Sequence, residues 1–233
     1  MKARLPALWG AGYWCNINTM SKSKILLSFI VLLGLAGPAW SAAPQANPAV
    51  DVARLVPAQP SGSRADQVGV VVFFDFSRSS SEMLQRLDQW AANAGSEVII
   101  DREPLVTPAS AQLAHAFMAA RTLGIAGPVL DGLFNIRPDP ARPENTRQAL
   151  AKLFQSWGMG SLEFNAAWGS TATRNGYIRA QSLAERFAIS TAPAIVVDGV
   201  WRLTPTQPAA LVPLFAALDK KVGEASLIAS ENR

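Results

Sequence analysis

Nearly continuous apolar residues from Val68 to Phe76 predict a strand that is buried on both faces. A polar window, Arg78 to Ser81, follows this run, and residues 97–101 (Glu-Val-Ile-Ile-Asp) predict a second strand. Between the two strands, apolar side chains recur at helical spacing, at Met83, Leu84, Leu87, Trp90 and Ala91. Ser79 and Glu82 have the spacing of a capping box at the start of this helix. Strand, helix and strand in this order indicate a βαβ unit whose two strands pair in parallel.

The middle of the chain has the apolar periodicity of helices. The pattern predicts helices over residues 109–123, 145–157, 161–168 and 177–187. A Pro-rich stretch from Arg137 to Pro143 predicts a turn between two of them. The opening βαβ unit is therefore followed by a block made only of helices.

The last 40 residues of the chain return to strand patterns. Residues 194–198 and 201–203, separated by Gly199, predict a β-hairpin. Residues 208–222 predict a closing helix, and residues 223–233 have the composition of a frayed tail. Strands, helices and strands in this order favour an α/β fold with a helical insertion.

The first residues have the pattern of an export signal. Lys22 and Lys24 precede an apolar run from Ile25 to Ala36, and small residues follow at 39–43. A basic start, a short apolar core and a small-residue end are typical of a secretory signal peptide. Met20 is the start codon that this pattern predicts. Residues 1–43 are therefore predicted to be an extension and a signal peptide, leaving no stable membrane span after cleavage.

Charge and cysteine usage narrow the function classes. The chain has 233 residues, with 21 Lys plus Arg, 17 Asp plus Glu and a formal net charge of +4. Four of the basic residues and none of the acidic ones lie in residues 1–43, so the rest of the chain is neutral. A neutral body argues against a nucleic-acid-binding surface.

The candidate chemistry is equally restricted. The single cysteine, Cys15, lies in the predicted extension, which excludes disulfides, cysteine catalysis and thiolate metal sites from the body. One histidine, His115, argues against a His-rich metal centre or a Ser-His triad, and its apolar helical neighbours indicate a packing role. Neither a cofactor nor a metal is expected.

Several segments resemble the DsbA-type thiol:disulfide oxidoreductases. Phe73-Phe-Asp-Phe76, followed by a four-residue window at a helix start, resembles the active-site strand of that family. Residues 111–124, 164–168 and 191–199 are similar to later landmarks in the same order. The resemblance covers the mature chain and implies a thioredoxin-like α/β fold with an inserted α-helical domain.

The implied organisation divides the chain into six segments. An extension and signal peptide and a Pro/Ala-rich lead-in or tether come first, then one thioredoxin-fold segment, the helical insertion, a second thioredoxin-fold segment and a flexible tail. Their predicted boundaries are 1–43, 44–67, 68–106, 107–188, 189–222 and 223–233.

The chain departs from the family where the catalytic Cys-x-x-Cys should be. The two cysteine positions correspond to Arg78 and Ser81, or to Ser77 and Ser80 if the register shifts by one. Disulfide exchange requires a thiolate, which neither register supplies. Val72 also occupies the place where some members hold a buried acid. The degenerate window Arg78-Ser79-Ser80-Ser81 therefore predicts no catalytic residue.

The resemblance leaves a binding surface in place. It implies that Thr191, Ala192 and Pro193 form a cis-proline loop whose backbone pairs with an extended peptide. Arg78, beside the free N–H groups of a helix start, would add a cation for a carboxylate or another anion. These residues predict a redox-inert pseudoenzyme that binds a peptide or protein partner, as a chaperone or assembly factor, in the periplasm of a Gram-negative bacterium.

Two other functions stay open at this stage. Kappa-class glutathione transferases and hydroxychromene carboxylate isomerases, which are similar in fold, hold the glutathione thiolate with a serine near this strand end. A serine within Ser77–Ser81 could serve in that way, although the Ser-Pro of their motif is absent. The second alternative is a structural component of an envelope or secretion assembly that uses residues 44–67 as a tether.

Overall fold

The computed structural model describes residues 48–58, 67–139 and 141–231. The predicted extension and signal peptide, residues 1–43, lie outside this part of the chain. None of the helices in the described ranges combines the length and the apolar character that a membrane span requires.

A five-stranded sheet forms the centre of the fold. Its strands are β1 (Val50–Arg54), β2 (Val68–Phe74), β3 (Val98–Pro104), β4 (Ala194–Val197) and β5 (Trp201–Pro205), in the order β1-β5-β4-β2-β3. β2 and β3 are parallel, as predicted, and the other neighbouring pairs are antiparallel. All seven residues of β2 are buried, as expected for a central strand with both faces covered.

The described residues form seven α-helices around or beyond this sheet. They are α1 (Arg78–Ala91), α2 (Ala111–Thr122), α3 (Ala126–Phe134), α4 (Arg147–Ser156), α5 (Ser161–Trp168), α6 (Thr171–Arg186) and α7 (Leu211–Glu231), with a 3₁₀ turn at Pro143–Asn145. Helices α2 to α6 are inserted between β3 and β4. The structure is therefore an α/β, thioredoxin-like fold with a helical insertion, as predicted.

Alternate residues of β2 supply two separate apolar clusters. Val72 and Phe74 belong to the larger one, which includes residues of α1, α7 and the insertion. Phe74 packs edge-on against Phe117 of α2, with the ring centroids 5.1 Å apart. Phe73 points to the other face, where its ring centroid lies 6.1 Å from that of Phe187 beyond α6. The period of two along the strand thus joins the sheet to the insertion on both faces.

Two terminal segments differ from their predictions. The lead-in 44–67, predicted to be irregular, contains β1, because Val50 enters the larger cluster and the segment pairs with β5. The tail 223–233, predicted to be frayed, continues α7 as far as Glu231. Ala225 is buried in the larger cluster, so packing continues the helix past Gly223.

Two helices of the insertion also differ from the sequence pattern. Helix α3 has no counterpart among the predicted helices, because its nine residues are too few to show a clear apolar periodicity. Helix α6 begins at Thr171, six residues before the predicted start at Tyr177. The Ser170 side chain caps it by accepting a hydrogen bond from the Thr173 N–H over 3.1 Å.

Candidate functional site

The turn between β2 and α1 holds the polar window that the sequence analysis singled out. Ser77 is the N-cap residue of α1, with extended backbone angles, and its hydroxyl oxygen accepts the Ser80 N–H over 3.3 Å. The capping box predicted for Ser79 and Glu82 is wrong. The cap lies two residues earlier, and the Glu82 carboxylate pairs with Arg78 instead.

Asp75 is the centre of the hydrogen bonds in this turn. Its Oδ1 accepts hydrogen bonds from the Ser77 hydroxyl, from the Ser77 N–H over 3.2 Å and from the Ser80 hydroxyl over 2.6 Å. The oxygen of Ser80 in turn accepts the Asp75 N–H over 3.2 Å. Asp75 entered the sequence analysis only as part of a motif. Its position two residues before Ser77 is the Asx-turn spacing that could have identified it.

The serines of the window differ in their surroundings. Ser80 is fully buried, whereas Ser77, Ser79 and Ser81 are half-buried. The hydroxyl oxygens of Ser77 and Ser79 are 3.0 Å apart, so Ser79 extends the Asp75 network. Ser77 and Ser80 are thus tied to each other through one backbone hydrogen bond and through a shared carboxylate.

Arg78 points away from this network. Its side chain is 92% exposed, and its Nε donates to the Glu82 carboxylate over 2.8 Å, one turn along α1. This hydrogen bond and the charge of Glu82 raise the pKa of Arg78 above its ordinary value. The Arg78 guanidinium, which the sequence analysis expected at the helix start, therefore pairs with Glu82 on the outer face of α1.

The loop before β4 lies at the same end of the sheet as the polar window. Phe73 of β2 pairs with Ala194 of β4 in antiparallel register, so the chain after β2 and the chain before β4 leave the sheet together. The peptide bond between Ala192 and Pro193 is cis. Pro193 is buried, Ala192 is half-buried and Thr191 is exposed. The structure thus brings the predicted loop and the polar window to the same end of the sheet.

Arg202 of β5 holds the segment that leads into this loop. Its guanidinium donates to the Ala188 carbonyl over 2.8 Å and to the Phe187 carbonyl at 3.5 Å, just after α6 ends. A cation that bonds to these carbonyls stabilises the C-terminus of α6. A cleft of about 250 Å³ opens beside Thr191, with Asp51 and Arg202 among its lining residues. Sequence reasoning did not identify Arg202.

The buried carboxylate of this region belongs to Glu103. Val72, where some relatives hold an acid, is fully buried, and Glu103 is fully buried opposite Phe73 on β3. Arg121 of α2 and Arg179 of α6 both donate to Glu103 Oε1, and Oε2 has no partner. Burial, aided by the charge of Asp101, raises the Glu103 pKa to about 7 against the opposing effect of the two arginines.

His115 has a structural position. Its Nε2 lies 2.9 Å from the Trp168 carbonyl oxygen, and its ring lies 4.4 Å from the Trp168 ring. These contacts join α2 to α5. Across the described ranges, no group of three or more His, Cys, Asp or Glu side chains is arranged to hold a metal ion.

The chemistry of this window differs from that of a thiol pair. The window contains hydroxyls and an arginine, neither of which exchanges with a disulfide sulfur. The loop at Thr191 lies beside this window, at the end of the sheet where β2 stops and β4 starts.

Comparison with known proteins agrees with this geometry. The model of the DSBA-like thioredoxin domain matches residues 56–212. The thiol:disulfide interchange protein DsbA of Burkholderia cepacia is 26% identical over 186 residues, which cover 78% of this chain and 87% of that protein.

Solved structures share the fold. Oxidoreductase DsbA from Xylella fastidiosa has a TM-score of 0.62 at 19% identity, covering 78% of this chain and 95% of that one. Pseudomonas aeruginosa DsbA has a TM-score of 0.64 at 18% identity, covering 75% and 93%. From its matched domain, its fold and the order of its motifs, this chain belongs to the DsbA-like thiol:disulfide oxidoreductase family.

Proposed function

We propose that this chain, which has no cysteine after Cys15, is a DsbA-like protein that binds an extended segment of a peptide or protein partner in a chaperone or assembly role. The observation that carries the proposal is the contrast between the start of α1 and the loop before β4, which lie at the same end of the sheet. The helix start has serines and an arginine in place of a thiol pair, whereas the loop Thr191–Pro193 is retained beside it.

The polar window itself supports a binding role without redox chemistry. The Ser77 and Ser80 hydroxyls both donate to Asp75, so their polar groups serve the turn. A serine hydroxyl has no accessible redox couple and is not appreciably ionised near neutral pH. Catalysis of disulfide exchange is therefore not expected from this site.

The same network argues against a glutathione thiolate held by Ser77 or Ser80. A serine that stabilises a thiolate must direct its hydroxyl hydrogen at the sulfur, but the Ser77 hydroxyl donates to Asp75. The Asp75 carboxylate would also place a negative charge beside the thiolate, and like charges at such distances repel. Calorimetry with millimolar glutathione tests this alternative, and binding that Ser77→Ala abolishes would establish it.

The proposed location is the periplasm. The support is the basic, apolar and small-residue order of residues 20–43, which is typical of cleaved export signals. N-terminal sequencing of the protein recovered from a periplasmic extract is expected to give a start between residues 42 and 44. Recovery in the cytoplasm with residues 20–43 intact would contradict the location.

The binding experiment uses an unfolded probe, reduced and carboxamidomethylated α-lactalbumin, whose blocked thiols remove any redox contribution. Fluorescence anisotropy of the labelled probe is expected to report binding to the intact chain. Thr191→Trp, on the exposed part of the loop, is expected to weaken binding roughly tenfold by obstructing the backbone. Thr171→Trp, at an equally exposed position at the start of α6, is the matched control.

An insulin-reduction assay completes the test of the proposal. No acceleration over the reaction without protein is expected. Probe binding that ignores Thr191→Trp would remove the loop from the proposal, and catalysis above background would overturn the redox-inert assignment. Co-purification from the envelope, with and without Pro193→Thr, then distinguishes a partner held by the loop from a structural assembly that uses another surface.

A further inference from the structure

Within the described ranges the sheet has two edge strands, and β3 is the one whose outward side is partly covered. Val68 N–H bonds to Glu97 O, and Leu105 N–H bonds to Phe74 O, so the even-numbered residues from 98 to 104 face outward from β3. Some of their backbone groups are used or missing. The Val98 N–H donates to Gly95 O over 3.0 Å, Arg121 donates to the Arg102 carbonyl over 3.3 Å, and Pro104 has no N–H.

The opposite edge, β1, has a different character. Leu55 N–H donates to Val200 O and Thr206 N–H donates to Ala49 O, so the odd-numbered residues of this segment bond to β5. The N–H and C=O groups of Val50, Val52 and Arg54 therefore face away from the sheet. Within the described ranges, no strand pairs with this side of β1. An open edge with these groups is a template for another strand.

We propose that β1 is the surface at which two copies of this chain associate, pairing antiparallel about a two-fold axis at Val52. This register places Val52 opposite its own copy and Val50 opposite the copy's Arg54. It uses all three outward-facing residues of each strand. An antiparallel strand pair related by a two-fold axis is a closed, self-complementary interface.

Side chains and chain ends fit this pairing. Val52, at the axis, is 41% exposed and apolar, so self-pairing would cover it. Asp51 would lie opposite Ala53 of the copy, and neither Asp51 nor Arg54 would directly oppose a like charge. Pro48 and Pro57, which lack an N–H, limit the pairing to the strand itself. Registers centred on Asp51 would oppose two carboxylates directly.

The occupant is a second copy because the outward hydrogen-bonding groups of this edge match those of its own copy, the exposed apolar Val52 meets itself at the axis, and no like charges are directly opposed. Three outward residues per strand make a small interface, which favours a reversible, concentration-dependent dimer. The resulting sheet would have ten strands, with β3 at both of its outer edges.

The first test is the molar mass of the purified chain by light scattering after size exclusion, over micromolar to millimolar loading. A rise toward twice the monomer mass is expected. Val52→Lys would place two ammonium groups opposite each other at the axis. Their repulsion is expected to raise the dimer dissociation constant roughly tenfold or more. Val212→Lys, at a more exposed valine of α7, is the matched control. Val52→Pro, which removes only an outward N–H, repeats the test without a charge.

A cross-link tests the register. In a Cys15→Ser background, Val52→Cys is expected to give a disulfide-linked dimer under mild oxidation, because directly paired Cα atoms lie about 5.5 Å apart. Val212→Cys should stay monomeric under the same conditions. A chain that is monomeric at all concentrations, or a dimer that Val52→Lys and Val52→Pro leave intact, would overturn the proposal. Both results are independent of peptide binding at Thr191.

Discussion

The Ser80 hydroxyl donates a 2.6 Å hydrogen bond to the carboxylate of Asp75 across the turn between β2 and α1. The Asp75 N–H returns a hydrogen bond of 3.2 Å to the same Ser80 oxygen. Because Ser80 is fully buried, this pair fixes the helix start from inside the fold. The polar window is therefore a structural turn that leads into α1.

The first prediction concerns the two positions that correspond to the family's cysteines. Ser77 is the N-cap, and its side chain lies over the Ser80 N–H, whereas the Arg78 side chain is directed along the outer face toward Glu82. A thiolate at an N-cap is stabilised by the helix start. We expect the double variant Ser77→Cys with Ser80→Cys to form an intramolecular disulfide and to regain insulin-reduction activity.

The alternative register provides the control. Arg78→Cys with Ser81→Cys is expected to give less activity, because its first thiol lacks the N-cap position. Asp75→Asn, added to the Ser77/Ser80 pair, should raise the activity further by removing the carboxylate that opposes thiolate formation. Greater activity from the Arg78/Ser81 pair would assign the thiol positions to the other register.

The second prediction concerns the stability of the helix start. Ser77→Ala removes the oxygen that accepts the Ser80 N–H and deprives Asp75 of one donor. Loss of an N-cap side chain typically costs about 1 kcal/mol of unfolding free energy. We expect urea denaturation of Ser77→Ala to show a loss of this size. Ser81→Ala is the control, since the cap does not use the Ser81 side chain, and it should stay within about 0.5 kcal/mol of the parent. Equal losses in the two variants would contradict the assignment of Ser77 as the cap.

A structural feature is predictable from the sequence when interactions between residues close together in the chain determine it. Strand β2 is predictable because a continuous apolar run defines it locally, and helix α5 lies where the sequence predicts it, over residues 161–168. The capping residue was misplaced because Ser77, Ser79 and the serines after them all suit an N-cap, and only the extended backbone at Ser77 distinguishes it.

Longer-range interactions explain the other differences. Strand β1 forms because β5, about 150 residues later, pairs with it in register from Val50 to Arg54. The Glu103 cluster joins β3 to α2 and α6, and no local pattern connects Glu103 with Arg121 or Arg179. Arg202 likewise reaches carbonyls of a segment 14 and 15 residues away. Such contacts follow from the tertiary structure, which sequence periodicity does not specify.

The third prediction separates a packed helix end from a frayed one. Ala225 is 7% exposed within the larger apolar cluster, whereas Leu227 is 67% exposed two residues later. Ala225→Arg would force a charged side chain into a packed site, and we expect a loss of several kcal/mol of unfolding free energy, roughly 2–4 kcal/mol. Leu227→Arg should leave stability nearly unchanged. Thermal unfolding of both variants decides, because a frayed segment would tolerate either substitution equally.

The last prediction uses the raised pKa of Glu103. Burial, together with the charge of Asp101, raises that pKa from 4.5 to about 7 against the effect of Arg121 and Arg179. Between about pH 4.5 and about pH 7 the folded state therefore binds more protons at this carboxyl than the unfolded state does. Its contribution to the unfolding free energy is present at the acidic end and is lost as pH rises, with no further loss above the folded pKa.

Glu103→Gln isolates this contribution, because its neutral amide mimics the protonated carboxyl at every pH. The upper limit of the effect is about 3 kcal/mol, from the size of the pKa difference. Urea unfolding at pH 5 and pH 8 should show a smaller stability difference in Glu103→Gln than in the parent. Glu82→Gln, at an exposed carboxylate of α1, is the control for loss of one negative charge. If Glu103→Gln keeps the parent's full pH dependence, the carboxylate between Arg121 and Arg179 titrates near its ordinary value and the two arginines, rather than burial, dominate its ionisation.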